Sequence, residues 1–140
     1  MSVLSEPKID AHCHVLDPAR FPYPASVAYH PAGQEMGNAS YFLQLMACYQ
    51  VKHALLVGPN SGYGTDNRCL LDALKLGQGA FKGIAVVPND CDLESLQALK
   101  SQGVIGIAFN LRRTAFVALD QQPERATRRP APLQIVVPPG

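Results

Sequence analysis

Close to the N-terminus, Lys8-Ile9-Asp10-Ala11-His12-Cys13-His14-Val15 sets two imidazoles two residues apart, with a carboxylate two residues before the first. Side chains alternate between the faces of an extended strand. Asp10, His12 and His14 are therefore expected on one side, and Ile9, Ala11, Cys13 and Val15 on the other. Neutral imidazole is the commonest protein ligand for zinc and related divalent ions, and a pair at i and i+2 on a strand can converge on one ion from a rigid base. A catalytic zinc usually takes three protein ligands and keeps a fourth position for water. The chain's other two histidines do not complete such a set, since His30 falls in a proline-rich stretch and His53 begins another apolar run. The pair reads as half of a site. Asp10 reads as a partner that orients a histidine rather than as a ligand. Cys13 falls on the opposite face, where only a bulge in the strand would bring it to the ligands.

Four apolar, β-branched or alternating segments stand out, at residues 9–15, 54–57, 83–87 and 104–111. Helical spacing fills the gaps between them. Residues 39–50 follow Asn38 as a cap and bring Phe42, Leu45, Met46 and Tyr49 to one face. Residues 65–77 open on Thr65 as a cap, with Asp66 at the positive helix end, and run through Leu70, Leu71 and Leu74 to Gly77. A third helix starts at Asp92, carries Leu93, Leu96 and Leu99, and stops at Gly103. The order β-α-β-α-β-α-β implies parallel strands joined by right-handed crossovers, an α/β fold.

Polar residues gather just past the strand C-termini. His12 and His14 with Asp17-Pro18 follow the first, Asn60-Ser61-Gly62-Tyr63-Gly64 the second, Pro88-Asn89-Asp90 the third, and Asn110 the fourth. That is the edge where both barrels and open α/β sheets carry out chemistry. The long connection 16–38 is placed over the same edge as a partial lid. Gly62 and Gly64 lack the spacing and the following lysine of a phosphate loop and read as turn residues.

At 140 residues, 47% hydrophobic and 16% charged, the chain has the composition of one globular domain. A net charge of +1 gives no argument for nucleic acid or a membrane surface. No apolar run reaches the roughly 18 residues of a membrane span, and no signal-peptide pattern opens the chain, so a cytoplasmic address is expected. The cysteines Cys13, Cys48, Cys69 and Cys91 form no C-x-x-C pair and read as reduced, mostly buried residues. From Arg112 onward the composition changes, with five arginines, five of the twelve prolines and no lysine. Residues 1–111 are therefore expected to be the folded unit and 112–140 an irregular or disordered tail.

The segment Ile9 to Val15, then Asp17-Pro18 and Phe21-Pro22-Tyr23, then Leu56-Val57-Gly58-Pro59 leading into Tyr63-Gly64-Thr65-Asp66-Asn67, is followed by Phe81-Lys82-Gly83-Ile84-Ala85-Val86-Val87. Gly103-Val104, Gly106 and Phe109-Asn110-Leu111 then complete a set of motifs that resembles the amidohydrolase superfamily, in the branch of 2-pyrone-4,6-dicarboxylate hydrolases. The resemblance covers about residues 8–111 and implies the first half of a TIM (β/α)8 barrel. It implies that His12 and His14 bind a divalent metal, usually zinc, whose bound water becomes a nucleophile, or that without metal they polarise the carbonyl under attack. It further implies that Ser61, Tyr63 and Asn110 line the pocket of a small-molecule substrate, a carboxylated lactone hydrolysed rather than decarboxylated. The family places a third histidine on the fifth strand and a general-base aspartate on the eighth, so little activity is expected from the first four strands alone. Ala108 stands where this branch carries an arginine for a substrate carboxylate. The abrupt change after Leu111 is read as a frame-shifted or truncated product. The alternatives are a half-barrel that self-associates through its open sheet edge, or one that pairs with a second chain carrying the missing half.

Overall fold

The computed structural model describes residues 5–109, so Asn110, the boundary at 111 and the segment 112–140 lie outside the described residues. The elements run β1 (Lys8–Cys13), α1 (Ala39–Cys48), β2 (Val51–Val57), α2 (Arg68–Leu76), β3 (Phe81–Val87), α3 (Leu93–Ser101) and β4 (Val104–Phe109), with one 3-10 turn at Gly33–Glu35 in the first crossover. The strands form one parallel sheet in the order β1-β2-β3-β4. Each strand lies beside its predecessor. The reversal of order that marks the switch point of a doubly wound sheet is absent among the described strands, and the succession is that of a barrel.

Alternation divides the sheet into two faces. Ala54, Leu56, Ala85 and Val87 meet Met46 of α1 and Leu70 and Leu74 of α2 in the main core. The opposite face carries a second, smaller cluster of Leu55, Val57, Ile84, Val86 and Ala108. In a barrel this second face points inward.

The helix signals hold with local corrections. Asn38 accepts the Tyr41 N–H and Asp92 the Ser95 N–H, as N-caps do. At α2 the N-cap is Asn67, not Thr65, while Asp66 accepts the Arg68 N–H just outside the first turn. Helix α1 stops at Cys48 because Gln50 enters the left-handed region, with φ 58°, to turn the chain into β2. Tyr49 and Leu93, read from spacing as core residues, are exposed; Tyr49 is the C-cap of α1 and Leu93 opens α3, so each stands at a helix end. Gly77 adopts ordinary right-handed φ, so its need for glycine is one of space: a Cβ there would sit 2.4 Å from the Phe81 ring. All four cysteines are free; Cys69 is buried, Cys13 and Cys91 are half-buried, and Cys48 is exposed, contrary to the expected burial.

Candidate functional site

Strand β1 is not regular where the histidines lie. Its register pairs Asp10 with Ala54 and Cys13 with Leu56, three steps against two, so β1 holds one extra residue between them. Ala54 and Leu56 face the helices, and residues paired across a sheet share a face. Asp10 and Cys13 therefore lie toward the helical side, and the expected grouping of Asp10 with both histidines is corrected by this bulge. The Asp10 carboxylate accepts the main-chain N–H of His12 at 3.0 Å rather than touching an imidazole. Cys13 packs against the main core and donates to the Leu55 carbonyl. Burial, helped by the Asp10 charge, pushes its thiol from 9.0 up to about 12.

His12 and His14 come together as neighbours at the C-terminal end of β1. Their ring centroids are 5.1 Å apart, nearly perpendicular at 87°, and both residues are exposed. The His14 Nδ1 lies 2.7 Å from the Val57 carbonyl oxygen. A carbonyl only accepts, so Nδ1 carries the proton and the Nε2 lone pair of the neutral ring is left for an ion or a substrate. Val57 thus plays a part that sequence reading missed, since a main-chain carbonyl leaves no signature in residue type. No group of three or more His, Cys, Asp or Glu able to hold a metal occurs among the described residues. The pair fits two positions of a divalent ion's shell and needs further ligands to close it.

The first crossover folds over the loop that follows β2. Tyr63, at 3% exposure, accepts the Asp17 N–H on its hydroxyl, packs 5.1 Å from the Tyr23 ring, and has its own ionisation pushed up by burial. The Gly62 N–H donates to the Tyr29 carbonyl, and with φ 84° and the Tyr23 ring 2.9 Å from where a Cβ would stand, position 62 admits only glycine without strain. Tyr23 also stacks on His30 at 5.3 Å and donates to the Pro31 carbonyl. Arg20 makes a two-pronged ion pair with Asp72 of α2, which fastens the crossover to the helical layer. Ser61 is exposed at the turn of this assembly. His30 is held on Tyr23, and His53 is exposed in the N-terminal half of β2, paired with Ile9.

Past the end of the β2–β3 ladder, Asn67 takes the place of a strand. Its side-chain oxygen accepts the Val86 N–H at 3.1 Å and its nitrogen donates to the Val86 carbonyl at 2.8 Å. Ala108 is paired with Val86 on the inner face and is buried, so the position held by arginine in the resembling branch is here an apolar one. Two cavities accompany the site without including the histidines. One of about 450 Å³ lies beside α3, lined by Asn67, Val87, Cys91 and Ser95; one of about 110 Å³ lies under the crossover, lined by Val15, Arg20, Asn38 and Cys69.

The described residues thus form a parallel βα sheet in barrel order with a histidine pair at the C-terminal end of its first strand. The amidohydrolase family model matches residues 9–138, and the chain belongs to that family. The chain is 30% identical over 128 residues to a 2-pyrone-4,6-dicarboxylate hydrolase of Comamonas testosteroni, covering 86% of this chain and 39% of that protein. It is 31% identical over 101 residues to a 4-sulfomuconolactone hydrolase of Rhizobium radiobacter, covering 71% of this chain and 32% of the relative. A crystal structure from Acinetobacter baumannii, named as a probable 2-pyrone-4,6-dicarboxylic acid hydrolase with citric acid bound, superposes with a TM-score of 0.63 at 29% identity, over 73% of this chain and 37% of that one. The chain thus spans about 32–39% of the length of these relatives. The family match extends to residue 138, past Leu111.

Proposed function

We propose that this chain contributes the metal-binding or carbonyl-polarising half of a hydrolase that opens a small carboxylated lactone. The observation that carries the reading is the His12–His14 pair, with His14 Nδ1 committed to the Val57 carbonyl and Nε2 left free at the strand's C-terminal end. Support comes from relatives named as hydrolases of a pyrone dicarboxylate and of a sulfomuconolactone. A divalent ion held there would lower the pKa of a bound water and polarise the lactone carbonyl. His12 and His14 would supply two of its ligands through imidazole nitrogens, with Val57 fixing the tautomer of one. Ser61, on the turn after β2, and Asn110 are proposed to contact the substrate, and Tyr63 to hold the crossover beside it. Ala108 offers no charge to a substrate carboxylate, so any such group must be recognised elsewhere.

A second reading has the two histidines polarise the carbonyl without a metal. It needs only the two imidazoles, with His14 held in one tautomer by the Val57 carbonyl. One experiment tests both. The 140-residue chain is titrated with Co²⁺ and with Zn²⁺ by calorimetry, beside the His12→Ala/His14→Ala variant, and hydrolysis of 2-pyrone-4,6-dicarboxylate is followed by loss of pyrone absorbance before and after chelation. Binding that vanishes in the variant supports the metal reading. Hydrolysis that survives chelation but not the double substitution supports the second. Equal behaviour of the variant and the parent chain in both assays refutes the site.

A further inference from the structure

The geometry points to Asp10 as the positioning residue of the histidine pair, acting through the main chain by holding the bulge that sends both imidazoles to the inner face. The inference rests on the reading of His12 and His14 as the site, and deepens it.

A bulge leaves part of the strand without a ladder partner, and a main-chain N–H in that position must be satisfied by something else. Between Asp10 and Cys13, β1 carries the extra residue, and the His12 N–H is donated to the Asp10 Oδ1 at 3.0 Å. A side chain thus does the work of the neighbouring strand. Aspartate suits this because its carboxylate reaches the N–H two residues on, closing a turn that a longer acid overshoots. The β2 carbonyls alongside are engaged by β1 side chains as well, Leu55 by the Cys13 thiol and Val57 by the His14 ring.

The consequence for the site follows from the two-residue period of a strand. Removing the extra residue would shift everything after it by one and exchange the faces. Cys13 would then leave the core it packs against, and His14 would turn toward the helices and away from Val57. Asp10 itself lies on the helical side, paired with Ala54. Its carboxylate is engaged by the His12 main-chain N–H, so its influence passes through the backbone.

The test uses the 140-residue chain labelled with ¹⁵N and the variants Asp10→Asn, Asp10→Ala and Asp10→Glu. Three quantities are read: hydrogen exchange of the His12 amide, the imidazole ¹⁵N shifts of His14, and Co²⁺ affinity from its absorption spectrum. Asp10→Asn keeps an acceptor at the same reach and is expected to match the parent in all three. Asp10→Ala is expected to deprotect the His12 amide, to lose the single-tautomer signature of His14, and to weaken Co²⁺ by roughly 10- to 100-fold, the scale on which residues behind metal ligands act. Should Asp10→Ala fail to fold, Asp10→Glu decides, because it keeps the charge and loses the reach. A glutamate variant that behaves as the parent while the asparagine variant fails overturns the inference in favour of a charge effect. Unchanged His12 exchange in both Asp10→Ala and Asp10→Glu overturns it outright. If the parent chain binds no Co²⁺, the metal reading of the site falls, while amide exchange and ring shifts still decide the role of Asp10.

Discussion

Cys13 stands between the two histidines in sequence and on the other side of the sheet in space, and its burial makes it a chemical marker of the bulge. With the thiol raised to about 12, little thiolate exists at neutral or mildly alkaline pH. Iodoacetamide at pH 8 is expected to label exposed Cys48 well before Cys13, with peptide mass spectrometry reading the order. The same shift fixes a pH dependence. The unfolded chain loses this proton near 9.0 and the folded chain near 12, so over that interval the unfolded state binds fewer protons and stability falls as pH rises. Urea melts between pH 8 and 11 should show a decline that Cys13→Ser lessens. Tyr63→Phe removes the hydroxyl that accepts the Asp17 N–H and should cost about 1–3 kcal/mol in the same assay. At this scale the histidines were legible because their spacing is their signal. The sidedness of Asp10 and the part played by Val57 were not, since both depend on a register that only pairing with β2 decides.

The elements owe their boundaries to a few capping groups. Asn38→Ala should destabilise by about 1 kcal/mol, measured by thermal melting, because it orphans the Tyr41 N–H at the start of α1. The Ser95 N–H holds the Asp92 carboxyl below its ordinary value, so that cap's contribution is present above the usual carboxylate range and fades as pH falls through it. Amide exchange in α3 should therefore quicken on acidification, and Asp92→Asn should flatten that dependence. Gly77→Ala is expected to cost about 1–3 kcal/mol, since the new methyl meets the buried Phe81 ring. Two of the three caps were readable from asparagine and aspartate ahead of an apolar period. The third was misassigned to Thr65, because Asn67 spends its side chain on Val86 and its capping position shows only in the backbone. Gly77 was legible as a stop, but spacing reveals where a helix ends and not which ring lies beside it.

On the scale of the whole molecule, the fold class was legible because alternating helical and strand periods leave few topologies open. The barrel-like strand order was fixed only by observed pairing. Among the described residues β1 and β4 each pair on one side only, and each presents an exposed isoleucine, Ile9 at 71% and Ile105 at 45%. Exposed strand edges recruit other chains. Sedimentation velocity of the 140-residue chain is expected to show association that weakens when Ile9 and Ile105 are changed to lysine.

The first crossover is the longest of the three between successive strands, and loop closure grows costlier with length. Strands β2, β3 and β4 can therefore gather before β1 docks. His14 meets Val57 only after that docking, so its imidazole acquires a fixed tautomer at the final stage of assembly. A chain halted one step short of its native state would possess most of its sheet without the His14–Val57 hydrogen bond, which makes that bond a sensor of completed folding.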